Sequence, residues 1–112
     1  MLYEMLSGTP PFYAENRKEL FQRIAYAKLK APNFFSSNVN DLLDKLLQKD
    51  PTKRLGYGPD DAEAIKKHPW FDGFDWDALL NKTMPAPFVP KIKSETDISN
   101  FDPVNPFYLK ID

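Results

Sequence analysis

Proline placement limits this chain more than any other feature. Proline makes up 11 of its 112 residues, about twice the usual share. Pro85, Pro87, Pro90, Pro103 and Pro106 all fall in the last third. Each removes a backbone N–H donor and pushes its predecessor out of the helical region. The chain after about Lys82 is therefore predicted to be extended or loop-like. Upstream the prolines are sparser, and the pattern between them is helical.

Met1 to Leu6 reads as the last turns of a helix, stopped by Ser7-Gly8 and then Pro10-Pro11. It has no N-terminal cap, so it reads as a helix entered at its middle, a sign of truncation. A second helix is predicted from Asn16, where Asn16 and Glu19 have capping-box spacing. Leu20, Phe21 and Ile24 form its apolar stripe, and Pro32 closes the region. The third helix has the clearest period. Val39, Leu42, Leu43, Leu46 and Leu47 share one face, while Asp41, Asp44, Lys45 and Gln48 cover the other. Ser36 or Ser37 caps its start, and Asp50-Pro51 ends it. A short fourth helix runs from about Asp61 to Lys67, capped by Asp60 or Asp61 and terminated by His68-Pro69-Trp70-Phe71. One or two further turns are expected over Asp75 to Leu80. No segment alternates convincingly enough for a strand, and there is no internal repeat. The fold class is mainly α, followed by an extended, proline-rich tail.

Composition removes whole classes of function. Lys+Arg 15 against Asp+Glu 16 leaves a formal net charge of −1. Non-specific binding to nucleic acid or a membrane surface needs a clear positive surplus, so neither partner is expected. The absence of cysteine excludes disulfides, iron–sulfur clusters, thiolate zinc and a cysteine nucleophile. A single histidine excludes any site needing two imidazoles. No apolar run approaches the roughly 18 residues of a membrane span, and Glu4 breaks the N-terminal apolar stretch. The chain reads as cytoplasmic, with the nucleus left open.

Most catalytic patterns are missing. Gly56-Tyr57-Gly58 begins like a phosphate loop, but Asp61 stands where the third glycine belongs, and no strand precedes it. A turn between helices accounts for it better. Asp60, Asp61 and Glu63 lack EF-hand spacing and read as acidic residues at a helix N-terminus. His68, beside Pro69 at a helix end, has no nucleophile or carboxylate spaced around it, which favours a structural hydrogen bond over catalysis. Asn81-Lys82-Thr83 fits a glycosylation sequon, but no signal peptide directs it to the transferase. Arg54 lies between the amphipathic third helix and a glycine turn. Its spacing leaves open both a structural anchor, forking onto a carboxylate, and a solvent-facing side chain.

Taken together and in order, these pieces resemble the end of a protein kinase of the AGC group. Leu2-Tyr3-Glu4-Met5-Leu6-Ser7-Gly8-Thr9-Pro10-Pro11-Phe12 is similar to the end of the long central C-lobe helix and its following loop. Leu42 to Pro51 with Arg54-Leu55-Gly56 resembles the next C-lobe helix and its Arg-Leu-Gly turn, and His68-Pro69-Trp70-Phe71 the last one. Phe74-Asp75-Trp76 and Pro85-Ala86-Pro87-Phe88-Val89-Pro90 resemble the start of the AGC C-terminal tail. Asp97-Ile98-Ser99-Asn100-Phe101-Asp102 is similar to the tail segment that crosses the cleft. The pattern is nearest to the serum/glucocorticoid-regulated, Akt and ribosomal S6 kinases.

The resemblance implies residues 1–71 as the late C-lobe and 72–112 as the tail. For the intact kinase it implies ATP- and magnesium-dependent phosphorylation of serine or threonine on proteins. For this chain it implies no cofactor and no catalytic residue, because the V-A-I-K, H-R-D, D-F-G and A-P-E motifs are all absent from the sequence. Asp72-Gly73-Phe74 holds the letters of D-F-G in the wrong order. Carried over by position, Arg54 matches the arginine that pairs with the A-P-E glutamate. Phe101 matches the tail aromatic beside the adenine pocket, and Pro87 and Pro90 match a P-x-x-P along the N-lobe linker. The implied partners are the N-lobe and catalytic part of the same kinase, and protein substrates or regulators. After Pro103 the family pattern is lost, with Val104-Asn105-Pro106-Phe107-Tyr108 in its place and neither a turn motif nor a terminal hydrophobic motif. The rival reading is a free-standing interaction module using the 16–27 helix surface, Pro87-Phe88-Val89-Pro90 and Asn105-Pro106-Phe107-Tyr108.

Overall fold

Local signals at helix ends account for most of the secondary structure in the computed structural model, which describes residues 1–102. Helix α1 (Leu2–Ser7) has no side-chain cap and ends at Gly8. Gly8 takes a left-handed φ of 83°, and its N–H bonds the Glu4 carbonyl. Helix α2 (Arg17–Tyr26) begins where the Asn16 side chain accepts the Glu19 N–H at 2.8 Å. Only this half of the capping box forms, because the Glu19 carboxylate reaches forward to Arg23 instead. α2 stops well before Pro32, as Ala27 turns to an extended conformation.

Helix α3 (Ser37–Leu46) is capped by Ser36, whose hydroxyl accepts the Val39 N–H. A single 3-10 turn, Pro51–Lys53, follows, with the Asp50 carboxylate accepting both the N–H and the hydroxyl of Thr52. Helix α4 (Ala62–Lys66) departs from expectation: no side chain caps it. Asp61 sits at a φ of 44°, and the backbone bond from Glu63 N–H to the Asp60 carbonyl closes the turn instead. A second 3-10 turn, Pro69–Phe71, is followed by α5 (Trp76–Leu80), where the Asp75 carboxylate accepts the Ala78 N–H. Among the described residues there is no strand, so the chain is mainly α.

The chain divides into two compact units, Met1–Phe74 and Asp75–Asp112. The core of the first forms around α3. Leu42 is fully buried, and Val39 and Leu43 are 3% exposed. Burying each such side chain is worth roughly 1.5–3 kcal/mol. Tyr3 from α1 joins Val39 and Leu43, with Leu2, Leu29, Phe35 and Trp70 packed around them. Its ring meets Phe35 edge-on, and its hydroxyl donates to the Lys30 carbonyl at 2.7 Å. The polar tip thus ties α1 to the strand-like segment after α2 while the ring fills the core. By contrast α2 contributes no buried residue. Of its predicted stripe, Leu20 is half-buried, while Phe21 and Ile24 are 60% and 49% exposed.

In the second unit nothing past Leu80 is helical among the described residues, as the prolines dictate. After α5 the Thr83 N–H turns back to the Ala78 carbonyl, with Lys82 at a φ of 58°. The Asn105–Tyr108 motif lies outside the described residues.

Candidate functional site

The turn after α3 is built from the carbonyls that a helix end leaves unpaired. The Leu55 N–H donates to the Lys45 carbonyl at 3.0 Å, and Arg54 Nε donates to the Gln48 carbonyl at 2.8 Å. Gly56 then turns the chain at a φ of 92°. A Cβ there would meet Ile65 Cδ1 at 3.0 Å and the Asp61 carbonyl at 3.3 Å, so glycine is required on both counts. Arg54 itself is exposed. Held through Nε, its two terminal nitrogens make no hydrogen bond or ion pair among the described residues. The Asp50 carboxylate is taken by Thr52, which together with the positive charges of Lys53 and Arg54 holds it below the usual aspartate range. The side chain therefore neither swings free nor borrows Asp50. A backbone carbonyl fixes its root and leaves its fork open.

His68 holds α3 against the second 3-10 turn. It is 5% exposed. Its Nδ1 accepts the Trp70 N–H at 3.1 Å, which makes Nε2 the donor to Asp41 Oδ2 at 2.7 Å. The carboxylate partner that local spacing denied to His68 arrives from 27 residues upstream, on α3. The same oxygen accepts from Lys45 at 2.6 Å. The Lys45 bond first, and the His68 bond second, hold the Asp41 carboxyl below its ordinary value. The arrangement caps the second 3-10 turn and locks it to α3.

Lys49 makes a third junction. Its ammonium donates to the Arg23 and Ile24 carbonyls, at 3.3 and 2.7 Å, and sits 3.8 Å above the Phe12 ring. It thus caps the negative end of α2 and pins the loop after α1. Although much of Lys49 faces water, partial desolvation, with the nearby Arg54 charge, pushes its ammonium below the usual lysine range.

In the second unit Asp97 organises a loop. Its carboxylate accepts the Lys93 N–H at 2.7 Å and the Ser99 N–H at 2.8 Å. Those bonds stabilise the carboxylate and hold its pKa below the ordinary aspartate value. The Phe101 N–H closes on the Ile98 carbonyl, and the loop presents Phe101 74% exposed. Pro87 and Pro90 are exposed as well.

A family model described as the protein kinase domain matches residues 1–71. The chain belongs to the protein kinase family. It is 44% identical over 104 residues to a "RAC family serine/threonine-protein kinase homolog" of Dictyostelium discoideum, covering 93% of this chain and 22% of that protein. A second relative from the same organism, "Protein kinase 2", is also 44% identical over 104 residues, covering 93% of this chain and 21% of its own. The chain therefore spans about a fifth of the length of the curated relatives it matches.

Within this kinase segment Arg54 stands at the α3 exit with an open fork, while Pro87, Pro90 and Phe101 stand in the other unit, facing solvent. Among the described residues no three His, Cys, Asp or Glu side chains converge. No helix among the described residues is long and apolar enough to cross a membrane. Sequence reasoning missed the His68–Asp41 lock and the Lys49–Phe12 junction, because both depend on contacts across more than 20 residues. It also passed over Asp97 as the loop's organiser, although an aspartate two residues before Ser99 is a recognisable Asx-turn signal.

Proposed function

We propose that this segment is the C-lobe scaffold and tail of an AGC-type protein serine/threonine kinase, and that it transfers no phosphate by itself. The observation that carries the reading is the Arg54 guanidinium. Its Nε is fixed on the Gln48 carbonyl and its terminal nitrogens are unoccupied, a preorganised fork for a carboxylate. In the whole protein the A-P-E glutamate fills that fork and the pair braces the activation segment. The tail residues Pro87, Pro90 and Phe101 serve the N-lobe and the adenine pocket, where ATP binds with magnesium. The names of the two relatives, both kinases and one a serine/threonine kinase, support the same assignment.

Two assays test this reading. The 112-residue chain, given labelled ATP, magnesium and a basic serine peptide, should show no transfer above a no-protein control. Turnover that purifies with the chain refutes it. In the whole kinase Arg54→Ala should destabilise by roughly 3–5 kcal/mol, the cost of stranding one member of a buried pair. In the chain alone the same change should stay within about 1 kcal/mol, since it removes one exposed hydrogen bond. Equal losses in both contexts would show that Arg54 has no partner outside this segment.

A further inference from the structure

α2 and the segment after it concentrate positive charge in a chain that otherwise leans acidic. Between Glu15 and Lys30 there are five cations, Arg17, Lys18, Arg23, Lys28 and Lys30, against two carboxylates, in a chain of net charge −1. Three of these cations line a cleft of about 270 Å³ with Pro11, Phe12 and Ala27. Half of its lining residues are apolar and half are basic.

The backbone explains why two of the basic residues face outward. Ala27 begins an extended run, with ψ at 138°. Leu29 packs against the core cluster. In an extended chain neighbours alternate in direction, so Lys28 and Lys30 both point away from that core, to one side. Both are exposed, and neither ammonium has a partner among the described residues. Arg23 is held in place by Glu19 and by the Tyr13 carbonyl. The last carbonyls of a helix would normally repel an anion. Here Lys49 occupies the Arg23 and Ile24 carbonyls and stacks on Phe12, so that repulsion is offset.

We propose that this cleft binds an acidic peptide segment of a partner protein. One carboxylate or phosphate side chain of the peptide sits between Lys28 and Lys30, and a neighbouring apolar side chain lies on Phe12 and Pro11. A nucleic-acid duplex or an anionic membrane wants a broad basic face. The net acidic remainder of this chain does not offer one, and the cations instead line a concave site.

The test is fluorescence anisotropy with the 112-residue chain and labelled peptides in which Asp and Glu flank a single Phe. A phosphoserine version distinguishes phosphate from carboxylate, and a Lys-flanked version controls for the aromatic alone. The acidic peptide should bind and the Lys peptide should not. Lys28→Glu with Lys30→Glu should weaken binding about tenfold, as expected for reversing two lining charges. Lys91→Glu with Lys93→Glu makes the same net-charge change at residues that do not line the cleft, and should weaken binding less than the Lys28 and Lys30 pair does. Replacing the peptide's Phe with Ser should also weaken it. Circular dichroism checks that each variant folds, with Lys28→Gln plus Lys30→Gln as the milder pair if the reversal does not. Absence of binding, equal loss from both reversals, or indifference to the Phe overturns the proposal. So does tighter binding to an oligonucleotide or an anionic vesicle with the same dependence on Lys28 and Lys30.

Discussion

Replacing His68 by alanine should cost the first unit about 2–3 kcal/mol, more than any other single polar change. The magnitude follows from three contributions. Loss of the Nδ1 acceptor leaves the Trp70 N–H uncapped, worth about 1 kcal/mol. Deleting an imidazole that is 5% exposed removes packing between α3 and the second 3-10 turn and leaves a partial cavity, worth roughly 1–2 kcal/mol more. The Asp41 contact contributes least, because its carboxylate is 51% exposed and keeps Lys45 when the ring is gone. Asparagine at the same position can still accept the Trp70 N–H and should recover about the cap's share, near 1 kcal/mol. Asp41→Asn should cost clearly less than His68→Ala. The assay is urea unfolding followed by tryptophan fluorescence. The chain has two tryptophans, so a Trp76→Phe background leaves Trp70, beside the perturbed ring, as reporter. A His68→Ala loss within about 0.5 kcal/mol, the range of ordinary surface changes, would refute the lock. An Asp41→Asn loss as large as that of His68→Ala would show that the ion pair, not the cap and the packing, holds the junction.

Other consequences are as direct. Gly56→Ala, at a φ of 92° and facing Ile65, should destabilise by roughly 1–3 kcal/mol. Gly58→Ala, with nothing within 4 Å of the added Cβ, should be neutral or slightly stabilising, and thermal melts of the pair separate the two. Asp41, Asp50, Glu63 and Asp97 are all held below their ordinary carboxyl values. Between those folded values and the unfolded ones the unfolded chain binds more protons. The stability they supply is therefore full above the ordinary range near 3.8 to 4.5 and is lost as pH falls below it. Urea midpoints measured across that window should rise with pH, and a flat profile contradicts the cause. With Met5 70%, Phe21 60% and Phe88 79% exposed, the isolated chain should bind a dye that reports apolar surface and should melt broadly; a sharp transition without dye binding argues against this.

Order that lies within one or two helical turns follows from neighbouring residues alone. Asn16, Ser36, Asp50 and Asp75 each accept an N–H two or three residues ahead, so at these four starts a short polar side chain marks where the turn begins. The period of Val39, Leu42 and Leu43 marked the core face of α3, because burial on a helix must recur at its pitch. Proline density explains why no helix follows Leu80 among the described residues, because each ring removes a donor wherever the chain goes. The Arg-Leu-Gly order at Arg54 and the motif succession pointed to the family on the same local terms.

Tertiary structure decided the rest, where the deciding partner lies far along the chain. Asp61 has a capping residue's identity but not its conformation: its φ is 44° and its side chain makes no cap bond. Leu20, Phe21 and Ile24 are periodic, yet whether a stripe is buried depends on what packs against it, and within this segment α2 finds no full cover. His68 and Asp41, like Lys49 and Phe12, meet only because later chain folds back on earlier elements, His68 onto α3 and Lys49 onto the loop after α1. Periodicity reports which face of an element is apolar. Only the folded chain decides which element meets that face, and therefore which charges are locked together and which, such as Lys28 and Lys30, remain open to a partner.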